Sequence, residues 1–122
     1  RVPVIVAGGT GGRMNPLALK VCDLAETHTD PFLQQLRKNL RIDYGFEREG
    51  NMNVTTVFST EAPQDPHCPR YDEGKGFTCV CPQGKNDYHS CEKRNIIWGT
   101  ASFVTGTMGL VMASEAISVL KK

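Results

Sequence analysis

The fold is decided by residues 2–12, which read VPVIVAGGTGG. The first six residues are apolar and mostly β-branched, a composition typical of a buried strand. The glycines that follow form a loop in which the backbone can turn sharply or come close to a ligand. Such a strand usually lies inside a sheet, so the sequence predicts that polypeptide preceding Arg1 is missing from this chain or belongs to another one.

Outward from this stretch, two more strands and one helix are predicted. The strands cover residues 17–24 and residues 54–58, both short and rich in apolar or β-branched side chains. Between them, Asp30 and Pro31 form a helix start, and leucines recur at helical spacing as far as Leu40. We therefore expect an amphipathic helix near residues 30–41.

The last apolar segment predicts a long helix near residues 98–120. Residues 96–113 carry no charge over a length sufficient to cross a bilayer. Small residues share one face of this helix and permit close backbone packing, in a soluble core or in a membrane bundle. They are Ser102, Gly106, Gly109 and Ala113. Hydroxyl groups and glycines favour a buried helix that packs this face against another helix, with a membrane span as the alternative.

Length and composition limit the function classes. With 122 residues, the chain holds one modest domain at most. A formal net charge of +1 provides no overall basic field for nucleic acid, so any RNA contact must come from a local patch. Five cysteines without a signal peptide favour an intracellular protein. We expect a cytoplasmic location in a bacterium, or association with the mitochondrion in a eukaryote.

Residues 62–97 differ from the rest of the chain because they hold most of its His and Cys residues. We expect a long irregular excursion there, which is uncommon unless it is functional or clamped. Its first zinc-ligand candidates, which come in two closely spaced pairs, are Cys79, Cys81, His89 and Cys91. Unbonded thiols, a redox or disulfide role, and a nucleophilic Cys91 near His89 are the alternatives.

Two groups of residues are candidates for contact with a substrate. The loop Gly8–Gly12 does not have the spacing of a dinucleotide site or a P-loop, which favours a tight structural turn or the wall of a substrate channel. Arg13, next to it, could bind phosphate or carboxylate, or form a structural ion pair. On the polar face of the first predicted helix lie Arg37, Lys38 and Arg41. They are either a solvated face or a contact for RNA phosphates.

Further motifs follow one another along the chain. They are Val2-Pro3-Val4 before Gly8-Gly9-Thr10-Gly11-Gly12-Arg13-x-Asn15-Pro16, then Val21-x-Asp23-Leu24-Ala25-x-Thr27, Asp30-Pro31, Asp43-Tyr44-Gly45, Val57-Phe58-Ser59-Thr60-Glu61, and Gly99-x-Ala101-x-x-Val104-Thr105-x-Thr107-x-Gly109. In this order they resemble the tRNA threonylcarbamoyladenosine dehydratases, of the ubiquitin-activating-enzyme-like (ThiF-type) superfamily. The resemblance covers nearly all of the chain except residues 62–97, and Asn15 stands where we expect Asp.

The resemblance implies an α/β fold. Residues 1–122 would be the carboxyl-terminal half of a Rossmann-like adenylating domain, with short strands, a long C-terminal helix and a Cys/His-rich insertion at residues 62–97. It also implies a reaction beside the tRNA anticodon, in which ATP activates the threonylcarbamoyl carboxylate as an acyl adenylate and an intramolecular attack closes a ring. The nucleotide-binding half, which would bind ATP and Mg²⁺, is absent from this chain, so the chain alone should be inactive.

By the same resemblance, the substrate site would be lined by Gly9, Gly11, Gly12 and Arg13, and the candidates for tRNA contact are Arg37, Lys38 and Arg41. The expected partners are the nucleotide-binding half, tRNA, a second copy in a homodimer formed largely through the final helix, and a larger assembly. Two other functions stay open. One is an adenylyltransferase for a ubiquitin-like or sulfur-carrier protein, and the other is a non-catalytic structural subunit.

Overall fold

The computed structural model describes residues 2–65 and 98–121. In chain order, the elements are β1 (Ile5–Ala7), β2 (Leu19–Asp23), α1 (Pro31–Asp43), β3 (Thr55–Ser59) and α2 (Ser102–Leu120). Two single-turn 3₁₀ helices, Pro16–Ala18 and Leu24–Glu26, flank β2. The three strands and two helices that the sequence predicts are confirmed, although their ends differ.

β3 is the central strand of a sheet with the order β1-β3-β2. β1 pairs with it in parallel, with Ile5 opposite Thr55, and β2 pairs with it in an antiparallel ladder. β1 is shorter than predicted because, among the described residues, β3 supplies no partner before Thr55. The chain bends there at Asn53, whose φ of 56° lies in the left-handed region.

Asp23 fixes the bend that precedes β3. Its Oδ1 accepts hydrogen bonds from the N–H of Met52 at 2.8 Å and of Ala25 at 2.9 Å, and its Oδ2 accepts one from the N–H of Val54 at 3.1 Å. Burial alone would raise the pKa of Asp23, but the backbone N–H groups that donate to the carboxylate hold this pKa below its ordinary value. The end of β2 is therefore joined to the start of β3 through an ionised carboxylate.

One face of the sheet packs against α1. The buried residues of this core are Leu24, Leu33, Met52 and Phe58. Partly buried apolar residues surround them, namely Val6, Cys22, Ala25, Leu36, Leu40, Phe46 and Val54. Because the leucines of α1 lie in or against this core, the prediction of an amphipathic helix is confirmed.

The other face of the sheet packs against α2. Successive side chains of a strand point to opposite faces, so the buried Val57 points away from Phe58 and the α1 core. α2 contacts β1 and β3, and Glu115 lines a cavity together with Val21 and Thr55. Val104 and Met108 are the buried residues of α2. The sheet therefore lies between the two helices.

The outer face of α2 is exposed in the single chain, so the expectation that its small residues pack against another helix stays a prediction. Ser102, Gly106, Gly109 and Ala113 are all exposed, and a Cβ at either glycine would meet nothing within 4 Å. Among the described residues, no second helix covers this face. Composition predicts how apolar a helix is, but it does not say which of its sides the rest of the chain covers.

Apolar residues follow one another along this outer face, with large and small ones in alternation until two large ones end the set. They are Phe103, Gly106, Leu110, Ala113, Ile117 and Leu120. Their separations alternate between three and four residues, the spacing of a coiled-coil seam. Leu110 and Leu120 are 75% and 84% exposed. We call this set the outer seam of α2.

α2 is also the helix of the described residues that is long and apolar enough to cross a membrane, with a mean hydropathy of 1.5 over a window that is 11% buried. Three of its hydroxyl groups are compatible with an apolar environment, since those of Thr105, Thr107 and Ser118 donate to carbonyls four residues earlier. The membrane interpretation therefore stays open beside a protein partner.

Candidate functional site

The candidate site is the glycine loop, residues 8–15, which follows the carboxyl end of β1. The N–H of Gly8 donates to the carbonyl of Val57 at 2.8 Å, so the loop begins in register with β3. Its tip is a turn closed by the N–H of Arg13 and the carbonyl of Thr10 at 3.2 Å. Gly12 has a φ of 70° in this turn, a conformation that favours glycine.

Asp30 anchors the start of the loop to α1. As the N-cap of α1, its Oδ1 accepts a hydrogen bond from the N–H of Leu33 at 3.1 Å, and its Oδ2 accepts one from the N–H of Gly9 at 2.8 Å. The contact requires glycine at position 8, because a Cβ on Gly8 would lie 2.6 Å from Oδ2. One carboxylate therefore starts the helix and fixes the loop.

Arg13 fixes the loop from inside. Its side chain is 3% exposed, and its guanidinium donates to the carbonyls of Gly9 at 2.5 Å, Thr29 at 3.0 Å and Glu61 at 3.1 Å. Its Nη2 also lies 3.7 Å from Oδ2 of Asp30, whose side chain is 1% exposed. The structural ion pair that the sequence allowed is therefore present. Whether Arg13 also lines a substrate site stays a prediction.

Glu61 anchors the end of the loop. Its Oε2 accepts hydrogen bonds from the N–H groups of Met14 at 2.9 Å and Asn15 at 2.8 Å. Asn15 in turn caps the first 3₁₀ helix, since its Oδ1 accepts from the N–H of Leu17 at 3.0 Å. The amide of Asn15 thus retains the turn chemistry of an Asp at this position. With Asp30 and Arg13, Glu61 makes the loop a rigid element.

The three basic residues of α1 have different surroundings. Lys38 is exposed, whereas Arg37 and Arg41 are half-buried. Arg37 donates to the hydroxyl of Thr27, and this hydroxyl donates to the carbonyl of Leu24 at 2.8 Å. The basic patch is therefore not one solvated face, because two of its members are half-buried and Arg37 contacts the segment that precedes α1.

The predicted zinc ligands, Cys79, Cys81, His89 and Cys91, lie outside the described residues, so the zinc hypothesis stays a prediction. Within residues 2–65 and 98–121, no three His, Cys, Asp or Glu side chains are grouped as a metal site. Cys22 is half-buried on the α1 face of the sheet, and burial raises the pKa of its thiol. A raised pKa disfavours the reactive thiolate.

Asp23 and Glu61 are anchoring positions for which the sequence predicted no role. Both stand within motifs quoted above, and an Asp at the end of a strand is a recognised turn signal. The hydrogen-bond partners of their side chains, however, are up to 31 residues away for Asp23 and 47 residues away for Glu61. Local spacing does not reveal contacts of this range.

Comparison with known proteins identifies relatives over nearly the whole chain. The tRNA threonylcarbamoyladenosine dehydratase of Escherichia coli K12 is 32% identical over 119 residues, which cover 96% of this chain and 42% of that protein. The enzyme of the same name from Haemophilus influenzae is 31% identical over all of this chain and 42% of its own length. No protein-family model matches. The chain thus spans about two fifths of the length of these relatives.

Solved structures agree with the sequence relatives. The E. coli dehydratase in complex with AMP superimposes with a TM-score of 0.69 at 30% identity, over 98% of this chain and 39% of that one. The same enzyme in complex with ATP gives a TM-score of 0.67 over 98% of this chain and 38% of that one. The resemblance to these dehydratases and the predicted α/β class, part of a ThiF-type fold, are confirmed.

Proposed function

We propose that this chain, which is related to the tRNA threonylcarbamoyladenosine dehydratases along nearly its whole length, is the carboxyl-terminal part of such an enzyme. The enzyme would cyclise threonylcarbamoyladenosine next to the anticodon with consumption of ATP. The observation that carries this proposal is the 32% identity over 96% of the chain. The matched region includes the glycine loop and the residues that anchor it.

In this reaction, the glycine loop would border the substrate. ATP supplies the activation, because an adenylated carboxylate has a good leaving group. Gly11 and Gly12 lie at the tip of the loop, which Asp30, Arg13 and Glu61 hold in one conformation. Because the loop is already fixed, it can position the activated group for intramolecular attack without a loss of loop entropy during the reaction.

ATP and Mg²⁺ fit the preceding half of the enzyme better than this chain. Arg13 already donates to three carbonyl groups and faces Asp30, so its guanidinium is poorly available to a triphosphate. The described residues also hold no cluster of carboxylates for a divalent cation. We therefore assign nucleotide binding to the other half and substrate positioning to this one.

A second copy of the chain is the partner that we propose for the outer seam of α2. In an antiparallel pair of these helices, Gly106 would face Ile117 of the partner subunit, and Ala113 would face the partner's Leu110. Phe103 would face the partner's Leu120. Each small residue thus meets a large one, so the same surface is complementary to itself, as a two-fold interface requires. The homodimer would then bury a seam that the single chain leaves exposed.

The cell interior is the location that we propose. The curated relatives are bacterial, and tRNA modification requires access to the cytoplasmic tRNA pool. A bacterial cytoplasm is therefore the expected site of action.

Deletion of the gene tests the proposed function directly. Mass spectrometry of nucleosides from total tRNA should show uncyclised threonylcarbamoyladenosine in the deletion strain, and the full-length gene should restore the cyclic form. Normal cyclisation in the deletion strain, with loss of a larger assembly, would support a structural subunit instead. Exchange of ATP with pyrophosphate that depends on a carrier protein would identify an adenylyltransferase for that carrier.

A further inference from the structure

Two arginines stand one turn apart on α1, and the first of them contacts the segment that precedes the helix. Arg37 and Arg41 are four residues apart, so they share a face of the helix. Helical side chains lean toward the N-terminus of their helix, which directs Arg41 toward Arg37 and Arg37 toward the residues that precede α1. Arg37 reaches the hydroxyl of Thr27, which is 4% exposed and itself bonded to the carbonyl of Leu24. The position of Arg37 is thereby fixed.

Within residues 2–65 and 98–121, no carboxylate forms an ion pair with either arginine, since the one ion pair there is that of Arg13 and Asp30. Burial, and then the positive charge of Arg41, lower the pKa of Arg37, while Asp30 raises it. Two half-buried like charges one turn apart repel each other unless an anion lies between them.

Arg41 also has an unused donor. Its Nε is buried and has no hydrogen-bond partner in the described part of the chain. A buried N–H group without a partner is rare in folded proteins, and a bound ion is one of its explanations. The donor belongs to a side chain that forms no ion pair within residues 2–65 and 98–121, so both observations are consistent with an anion at the same place.

We propose that Arg37 and Arg41 together bind one phosphodiester of the tRNA backbone, beside the segment that precedes α1. A guanidinium presents two parallel N–H groups that match two phosphate oxygens, and two such groups can hold one phosphate from two sides. The choice of tRNA rests on the proposed function. Lys38 lies outside this site, because it is exposed and points away from the arginine pair.

The first test is the salt dependence of binding to tRNA that carries threonylcarbamoyladenosine, measured by filter binding with the full-length protein. Arg37→Gln and Arg41→Gln should each weaken binding by roughly tenfold. Each should also reduce the slope of log K against log salt by about one. Arg48→Gln removes the same charge from an exposed arginine and should change little. Wild-type affinity and slope in both α1 variants would overturn the proposal.

A second measurement uses the wild-type protein and therefore does not depend on whether the variants fold. Phenylglyoxal modifies arginine, and mass spectrometry reads the extent of modification residue by residue. Bound tRNA should protect Arg37 and Arg41 but not Arg48. Equal protection by inorganic phosphate at the same concentration would identify a site for small anions and overturn the assignment to RNA, as would the absence of protection.

Arg41→Lys separates the charge of Arg41 from its Nε donor. Lysine keeps the charge, so the salt slope should stay near that of the wild type, while affinity should still fall because the directed N–H group is lost.

Cyclisation assays distinguish the arginine site from the proposed function. If the wild-type enzyme cyclises threonylcarbamoyladenosine and both glutamine variants bind tRNA normally, the arginine site is wrong and the proposed function stands. If the wild-type protein binds tRNA through these arginines but does not cyclise threonylcarbamoyladenosine, the proposed function is wrong and the arginine site stands.

Discussion

The carboxylate of Asp30 accepts a hydrogen bond of 2.8 Å from the backbone N–H of Gly9, although 21 residues separate them in sequence. The same carboxylate caps α1 and lies 3.7 Å from the guanidinium of Arg13. The loop, the helix and a buried charge therefore depend on one side chain.

Asp30→Ala should lower the free energy of unfolding by about 3–5 kcal/mol, because it leaves Arg13 buried without its counter-ion. Urea unfolding at neutral pH measures this loss. Asp43→Ala, at the exposed end of α1, removes the same charge and should change stability by less than about 0.5 kcal/mol. Equal unfolding midpoints for the two variants would contradict the anchoring role of Asp30.

Gly8→Ala should lower the free energy of unfolding by about 1–3 kcal/mol, because the added methyl group overfills the space beside Asp30 and Phe58. Its carbon would lie 2.6 Å from Oδ2 of Asp30 and 3.0 Å from Cβ of Phe58. Gly99→Ala is the matched control, since nothing lies within 4 Å of the Cβ that it would add. Thermal unfolding followed by circular dichroism compares the two. A Gly8→Ala protein as stable as the control would mean that the loop can move away from α1.

Acidification should weaken the fold through Asp23. The pKa of Asp23 in the folded protein lies below its ordinary value, so its stabilisation is complete above the unfolded pKa, about 3.9, and is lost as pH falls through the folded pKa. Asn in its place cannot accept all of the backbone hydrogen bonds. Asp23→Asn should therefore be less stable than the wild type at pH 6, and the difference should shrink below about pH 4. Urea unfolding of both proteins between pH 2 and pH 6 measures the difference, and a constant difference would exclude Asp23 as the titrating group.

Gly106→Leu should weaken the homodimer without destabilising the single chain. Nothing in the described chain lies within 4 Å of the added Cβ, so the monomer accommodates the new side chain. In the dimer it would overfill the space facing the partner's Ile117, at a cost of about 1–3 kcal/mol, equivalent to roughly 5- to 150-fold in the dissociation constant. Sedimentation velocity measures this change, and Lys121→Leu at the end of α2 is the control. An unchanged dimer would rule out the close-packed seam, and a wild-type protein that requires detergent for extraction would favour the membrane interpretation.

The sequence predicted those features that depend on local spacing. Leucines at helical intervals after Asp30 and Pro31 were sufficient to predict α1, and short runs of apolar or β-branched residues were sufficient to predict the three strands. The contacts that hold the glycine loop were not predictable in this way. Glu61 reaches Asn15 across 46 residues, and only the packed sheet brings them together. Which face of α2 packs against the sheet was not predictable for a related reason, because no local pattern says which side of an apolar helix the chain covers.

β1 is only three residues long, and within the described residues it pairs with β3 alone. Within residues 2–65 and 98–121, no strand covers its outer edge, and beside it Val2 and Val4 are 85% and 56% exposed. An uncovered edge flanked by apolar side chains is a template for pairing with other molecules. Produced by itself, this chain should therefore precipitate readily.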